Sequence, residues 1–217
     1  MLARRLRNLI HTFKIGSRLF TAEGPAAVKR LAPLALSVFL DLKFHDIPNT
    51  VSEAVASAAR LPKVRLLTLH AAGGFQMMRA AREAISGLRN PPKLFGVTVL
   101  TSLRQADLRK VGIPGAPVKV AVGLAKLAQQ AGLDGVVTSA QEAAAIRQAC
   151  GPRFLILVPA VRPEWAETND QARVGKPADA IHAGANYLVA GRPITAAKDP
   201  RAAAVRILSE IAGALRR

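Results

Sequence analysis

Short apolar runs alternate along the chain with longer, Ala-rich helical stretches. The runs at 13–16, 38–42, 65–70, 94–98, 135–138, 154–158 and 187–190 predict strands. They are apolar at successive positions, so both faces should be buried, as in parallel sheets. Stretches at 25–31, 50–59, 74–88, 118–131, 140–149, 177–183 and 200–215 predict helices. Gly24-Pro25 is a helix-start signal, and Gly132, Gly151 and Gly184 fall where helices should end. This alternation implies an α/β fold, a parallel sheet covered by helices. An open doubly wound sheet competes with a closed (β/α)8 TIM barrel. No G-x-G-x-x-G follows an early strand, which weakens the dinucleotide-binding version of the open sheet. A single (β/α) barrel domain over residues 1–217 is expected, although seven strands are one short of closure.

Composition narrows the classes. Half of the 217 residues are hydrophobic, enough for a large core and against intrinsic disorder. The chain carries 31 Lys and Arg against 14 Asp and Glu, a formal charge of +17. That excess invites a nucleic-acid partner. The basic residues are spread rather than blocked, no zinc-finger spacing occurs, and aromatics are only 4%. A basic solvated surface is expected instead, with no nucleic acid as partner. Cys150 is the one cysteine, which excludes an intrachain disulfide and a multi-cysteine zinc site. Thr68 and His70 interrupt the apolar run at Leu67, Leu69, Ala71 and Ala72, and no stretch reaches the roughly 18 residues of a membrane span. The basic start lacks an apolar leader core, so a reducing cytoplasm is the expected compartment.

The chemistry concentrates in Phe39-Leu40-Asp41-Leu42-Lys43-Phe44-His45-Asp46-Ile47-Pro48-Asn49-Thr50. It comes off the end of a buried strand, where residues two apart share a side, so Asp41 and Lys43 should project together. In a barrel, strand ends of this kind build the active site. Asp46 follows in the turn, and Pro48 bars further ladder pairing. Charges crowded at a strand end are costly unless they pair or perform chemistry. A D-x-K-x-x-D pattern alone leaves both readings open: a structural Asp–Lys pair, or a catalytic array.

The whole stretch resembles the active-site signature of the orotidine 5'-phosphate decarboxylase family (bacterial type). The resemblance continues in order through Phe13-Lys14-Ile15-Gly16, His70-Ala71-Ala72-Gly73-Gly74, Val97-Thr98-Val99-Leu100-Thr101-Ser102 and Gly132-Leu133-Asp134-Gly135. It extends through Pro159-Ala160-Val161-Arg162-Pro163, Asp170-Gln171-Ala172-Arg173-Val174 and Gly191-Arg192-Pro193. It implies a TIM barrel that decarboxylates orotidine 5'-phosphate to uridine 5'-phosphate in pyrimidine synthesis, without metal or organic cofactor. Lys43 is then the proton donor, flanked by Asp41 and Asp46. Such an ammonium stabilises and quenches the carbanion that decarboxylation leaves. Lys14 is implied at the ribose and in the charge array, Thr101 at the pyrimidine edge, and Arg162, Gln171, Gly191 and Arg192 at the phosphate. Asp46 and Thr50 are implied to reach the other subunit's site, which makes the protein a homodimer.

Three departures from the family pattern matter. The family's first strand, ending in Ala-Leu-Asp, has no counterpart before Lys14, and residues 2–10 read as the remainder of the following helix. Ala160 replaces a Gly, so the loop holding Arg162 should be strained if that position needs positive φ. Gly175-Lys176-Pro177 replaces Ala-Thr-Pro and should lose a helix N-cap. Asn186 for the usual Asp is a mild change. Two alternatives stand beside the main reading. One is a magnesium-dependent sugar-phosphate decarboxylase of the same superfamily. The other is an inactive truncated barrel with a basic nucleic-acid-binding surface.

Overall fold

The computed structural model describes residues 2–34, 36–163, 165 and 175–216. Among the described residues seven strands form: β1 (Thr12–Gly16), β2 (Ser37–Phe44), β3 (Val64–His70), β4 (Lys93–Val97), β5 (Gly135–Val137), β6 (Leu155–Val158) and β7 (Tyr187–Leu188). They are hydrogen-bonded in chain order, and the registered pairs are parallel. Each predicted strand is present within a few residues of its expected bounds. The α/β class with a parallel sheet is therefore the observed one.

The chain forms two compact units. The first holds residues 1–97 and 127–135. Its helices are α1 (Leu2–Leu6), α2 (Ser17–Glu23), α3 (Pro25–Lys29), α4 (Pro48–Ala59) and α5 (Gly74–Glu83). Helix α1 agrees with the helical reading of the start, and it buries Ala3 and Leu6. Helix α2 was not anticipated. It has no N-cap hydrogen bond and no buried residue, so it lacks the apolar stripe from which a helix is read. The core of this unit is mostly aliphatic: Val38, Leu40, Leu67, Leu69, Val55, Met78 and Leu94 are all fully buried, with Phe95 among them. Strand β2 is the pivot. Beyond Leu40, opposite Leu67, the next registered pair is Phe44 with Leu69. Four steps on β2 therefore match two on β3, a bulge that includes Asp41, Leu42 and Lys43.

The second unit holds residues 98–126 and 136–217. It carries α6 (Gln105–Lys110), α8 (Ala140–Cys150), α9 (Pro177–His182), α10 (Arg192–Thr195) and α11 (Pro200–Leu215), while α7 (Pro117–Gln130) runs between the units in sequence. Ser139 and Glu142 form a reciprocal capping box at the start of α8, and Gly151 ends it at φ 80°. Helix α9 starts at Lys176 without a side-chain cap, as the loss of Thr there predicts. Gly175 is needed for another reason. A Cβ on it would lie 2.4 Å from Ala140 Cβ. Asn186 accepts hydrogen bonds from Arg147 at 2.7 Å and from the Ile156 amide at 2.9 Å, which accounts for the mildness of that change.

Candidate active site

The signature turns out of β2 as a compact charged cluster. Asp41 is buried at the bulge, and its Oδ2 meets Lys43 Nζ at 2.8 Å and Lys14 Nζ at 3.2 Å. Lys14 arrives from β1, where Gly16 stands opposite Asp41 in the ladder. Gly16 has an ordinary extended backbone at φ −95°. What needs the glycine is space, because a Cβ there would sit 2.9 Å from Lys14 Nζ. Oδ1 of Asp41 accepts from the Thr68 hydroxyl at 2.9 Å. The same hydroxyl accepts from the Lys43 amide at 3.0 Å. Burial pushes the Asp41 carboxyl up, but Lys43, Lys14 and the Thr68 hydroxyl outweigh it and hold the group below its ordinary value.

Asp41 and Lys43 do come together, though not by the simple alternation of a flat strand. Lys43 adopts φ 53°, in the left-handed region that non-glycine residues rarely enter. The bulge and this turn bring Nζ back onto the carboxylate. Backbone of this kind persists only where its surroundings impose it, and it collects at functional sites. Thr68 is the residue the sequence reading missed. Its signal was present as a polar residue breaking the apolar run of a buried strand.

Asp46 lies apart from this cluster. It is exposed, and its carboxylate accepts from the Ile47 amide at 2.7 Å. Among the described residues it pairs with neither lysine. Thr50 is also exposed, in the first turn of α4. Asp46, Ile47 and Pro48 line an open cleft with His45, Ala72 and Gly73. Ile47 is 65% exposed there, unusual for so apolar a residue. His45 and His70 face each other with ring centroids 5.3 Å apart. Burial, His45 and Lys43 together hold the His70 imidazole below its ordinary value, against the opposing pull of Asp41.

In the second unit, Arg162 is buried just after β6, and its amide donates to Gly175 O at 2.9 Å. Ala160 before it adopts φ 58°, so the positive φ expected at that position is present on an alanine. Gly191 and Arg192 are exposed, at the start of α10 after β7. Thr101 is half-buried in the loop after β4. Gln171 lies outside the described residues. Among the described residues no group of three or more His, Cys, Asp or Glu is placed to hold a metal ion. No described helix is long and apolar enough to cross a membrane.

Known proteins resemble this chain over most of its length. The family model described as Orotidine 5'-phosphate decarboxylase / HUMPS family matches residues 1–207. An orotidine 5'-phosphate decarboxylase of Syntrophotalea carbinolica is 50% identical over 217 residues, covering 98% of this chain and 88% of that protein. The crystal structure of an orotidine 5'-phosphate decarboxylase from Lactobacillus acidophilus superposes with a TM-score of 0.79 at 35% identity, over 91% of this chain and 85% of that one. An uncharacterized conserved protein from Geobacillus kaustophilus gives 0.82 at 37% identity, over 97% and 92% of the two chains.

Proposed function

Because the chain belongs to the orotidine 5'-phosphate decarboxylase / HUMPS family, we propose that it is a carboxy-lyase converting orotidine 5'-phosphate to uridine 5'-phosphate and carbon dioxide. The observation that carries this reading is the Asp41 carboxylate held between the Lys43 and Lys14 ammonium groups at 2.8 and 3.2 Å. The proposed architecture is one (β/α)8-type barrel domain over residues 1–217.

In this mechanism the bond from the pyrimidine carbon to the substrate carboxylate breaks, and its electron pair stays on the ring. Lys43 Nζ gives a proton to that carbon, forming the C–H bond of the product, and solvent later reprotonates the amine. Asp41 holds the ammonium in place. Facing the substrate carboxylate, it also raises the ground state and is relieved as carbon dioxide leaves. Lys14 spans Asp41 and the ribose. Thr101 reads the pyrimidine edge. Arg162, Gln171, Gly191 and Arg192 take the phosphate, with Arg forks matching its oxygens and Gly191 admitting a close backbone approach. The scheme calls for no metal or organic cofactor.

Asp46 and Thr50 are proposed to complete the site of a second subunit. Their exposure beside the apolar Ile47 suits residues that wait for a partner. The nucleotide substrate and the lone cysteine suit a reducing cytoplasm, with no nucleic acid as partner.

The test is the fall in ultraviolet absorbance when orotidine 5'-phosphate is added. Lys43→Ala should lose at least about 10²–10⁴-fold in rate. Undiminished turnover in that variant would refute the assignment of the proton donor. Activity should survive a chelator; loss of activity would favour the magnesium-dependent sugar-phosphate alternative.

A further inference from the structure

The Thr68 side chain is fully buried in the middle of β3, and its hydroxyl makes two hydrogen bonds, both into the charged cluster. It accepts from the amide of Lys43 at 3.0 Å and donates to Asp41 Oδ1 at 2.9 Å. A single hydroxyl therefore joins the backbone of one residue to the carboxylate of the other. The joint falls where the main chain is least comfortable. Lys43 has φ 53°, and the β2–β3 register skips at this point. The bulge takes the Lys43 amide out of the regular ladder, and the Thr68 oxygen receives it.

The carboxylate is equally constrained. Oδ2 faces the two ammonium groups, and Oδ1 is turned to the strand by the hydroxyl. Without that anchor the carboxylate could rotate about its terminal torsion, which is a soft one. Lys43 Nζ would then lose its fixed acceptor. Fixing a reacting group to within a fraction of an ångström is what sustains a proton transfer.

We propose that Thr68 is a positioning residue: its hydroxyl clamps the left-handed turn at Lys43 and aims the Asp41 carboxylate, so that the ammonium is held ready for proton transfer. It is fully buried and bonded to both residues, so it acts through Asp41 and Lys43. This rests on the decarboxylase reading for its kinetic consequences, though not for its structural ones.

The experiment compares Thr68→Val, which keeps the branched shape and loses the hydroxyl, with Thr68→Ser, which keeps the hydroxyl. Thr68→Val should lower kcat for orotidine 5'-phosphate by about 10–100-fold with KM within about threefold, the loss of hydrogen bonds to a charged site. Thr68→Ser should recover most of that loss. Carbon-detected NMR of the Asp41 carboxyl supplies a readout independent of turnover: its titration should move up in Thr68→Val and stay near wild type in Thr68→Ser. Thr68→Ala carries the same comparison should Thr68→Val not fold. Equal impairment of the Val and Ser variants would reduce Thr68 to packing and overturn the proposal, as would full kcat in Thr68→Val. A wild-type protein that does not turn over orotidine 5'-phosphate would sink the decarboxylase reading alone, and the Asp41 titration would still decide the role of Thr68.

Discussion

Ala160 is a place where this chain departs from its family and carries the consequence in its backbone. Its φ of 58° lies in the left-handed region, where a Cβ crowds the following carbonyl. That conformation costs an L-residue about 1–2 kcal/mol. Ala160→Gly removes the cost, but a glycine also loosens the unfolded chain by about 0.4–1 kcal/mol. The net gain should be about 0.8 kcal/mol, the difference between the midpoints of those two effects. For a chain of this length each kcal/mol moves Tm by about 2–4 °C, so the melting temperature should rise by about 1–3 °C. Differential scanning calorimetry of wild type and variant measures it. Lys63 supplies a control, since it also has positive φ, at 63°, and stands in the turn before β3 rather than in the Arg162 loop. Lys63→Gly should shift Tm in the same direction. A lower Tm in Ala160→Gly would refute the claim that the turn before Arg162 stores strain. If relaxing the loop also improves phosphate binding, KM for orotidine 5'-phosphate should fall.

Other consequences can be measured directly. In Gly16→Ala the new methyl would stand 2.9 Å from Lys14 Nζ. A flexible ammonium can move away cheaply, so Tm should hold while kcat/KM drops roughly 2–5-fold, as for loss of a partly exposed ion pair; a fall in Tm with unchanged kcat/KM would reverse that account. Gly175→Ala restores the family's residue yet drives its Cβ to 2.4 Å from Ala140 Cβ. Overpacking of that kind costs about 1–3 kcal/mol, so Tm should fall by about 2–12 °C, and an unchanged melt would contradict it. Asp41 and His70 both titrate below their ordinary values of 3.8 and 6.5. Between each lowered value and the ordinary one, the unfolded chain binds more protons than the folded one, so stability rises with pH in both windows. On acidification from neutrality the His70 window is met first. The Tm of wild type should begin to decline below about pH 6.5, and His70→Asn should flatten that segment. The Asp41 contribution is lost at lower pH, as its carboxylate is protonated.

Much of this protein was legible in its amino-acid order. Strand and helix positions follow from the alternation of apolar runs with Ala-rich stretches, because burial on one or two faces imposes its own period on a sequence. Asp41 and Lys43 were predictable partners, since neighbours on a strand end cannot move far apart. The positive φ at residue 160 could be anticipated from the residue type the family carries there. Other features came only from packing. The bulge that turns Lys43 left-handed depends on how β2 meets β3, a pairing between segments some 25 residues apart. Thr68 enters the site by the same pairing, and nothing local marks it beyond one hydroxyl in an apolar run. Lys14 reaches Asp41 because β1 aligns Gly16 opposite it and leaves room for the ammonium. The conflict between residue 175 and Ala140 is likewise invisible along the chain. Local pattern determines which segments bury which faces, whereas the register between strands decides which side chains meet, and register is settled only when the whole sheet packs.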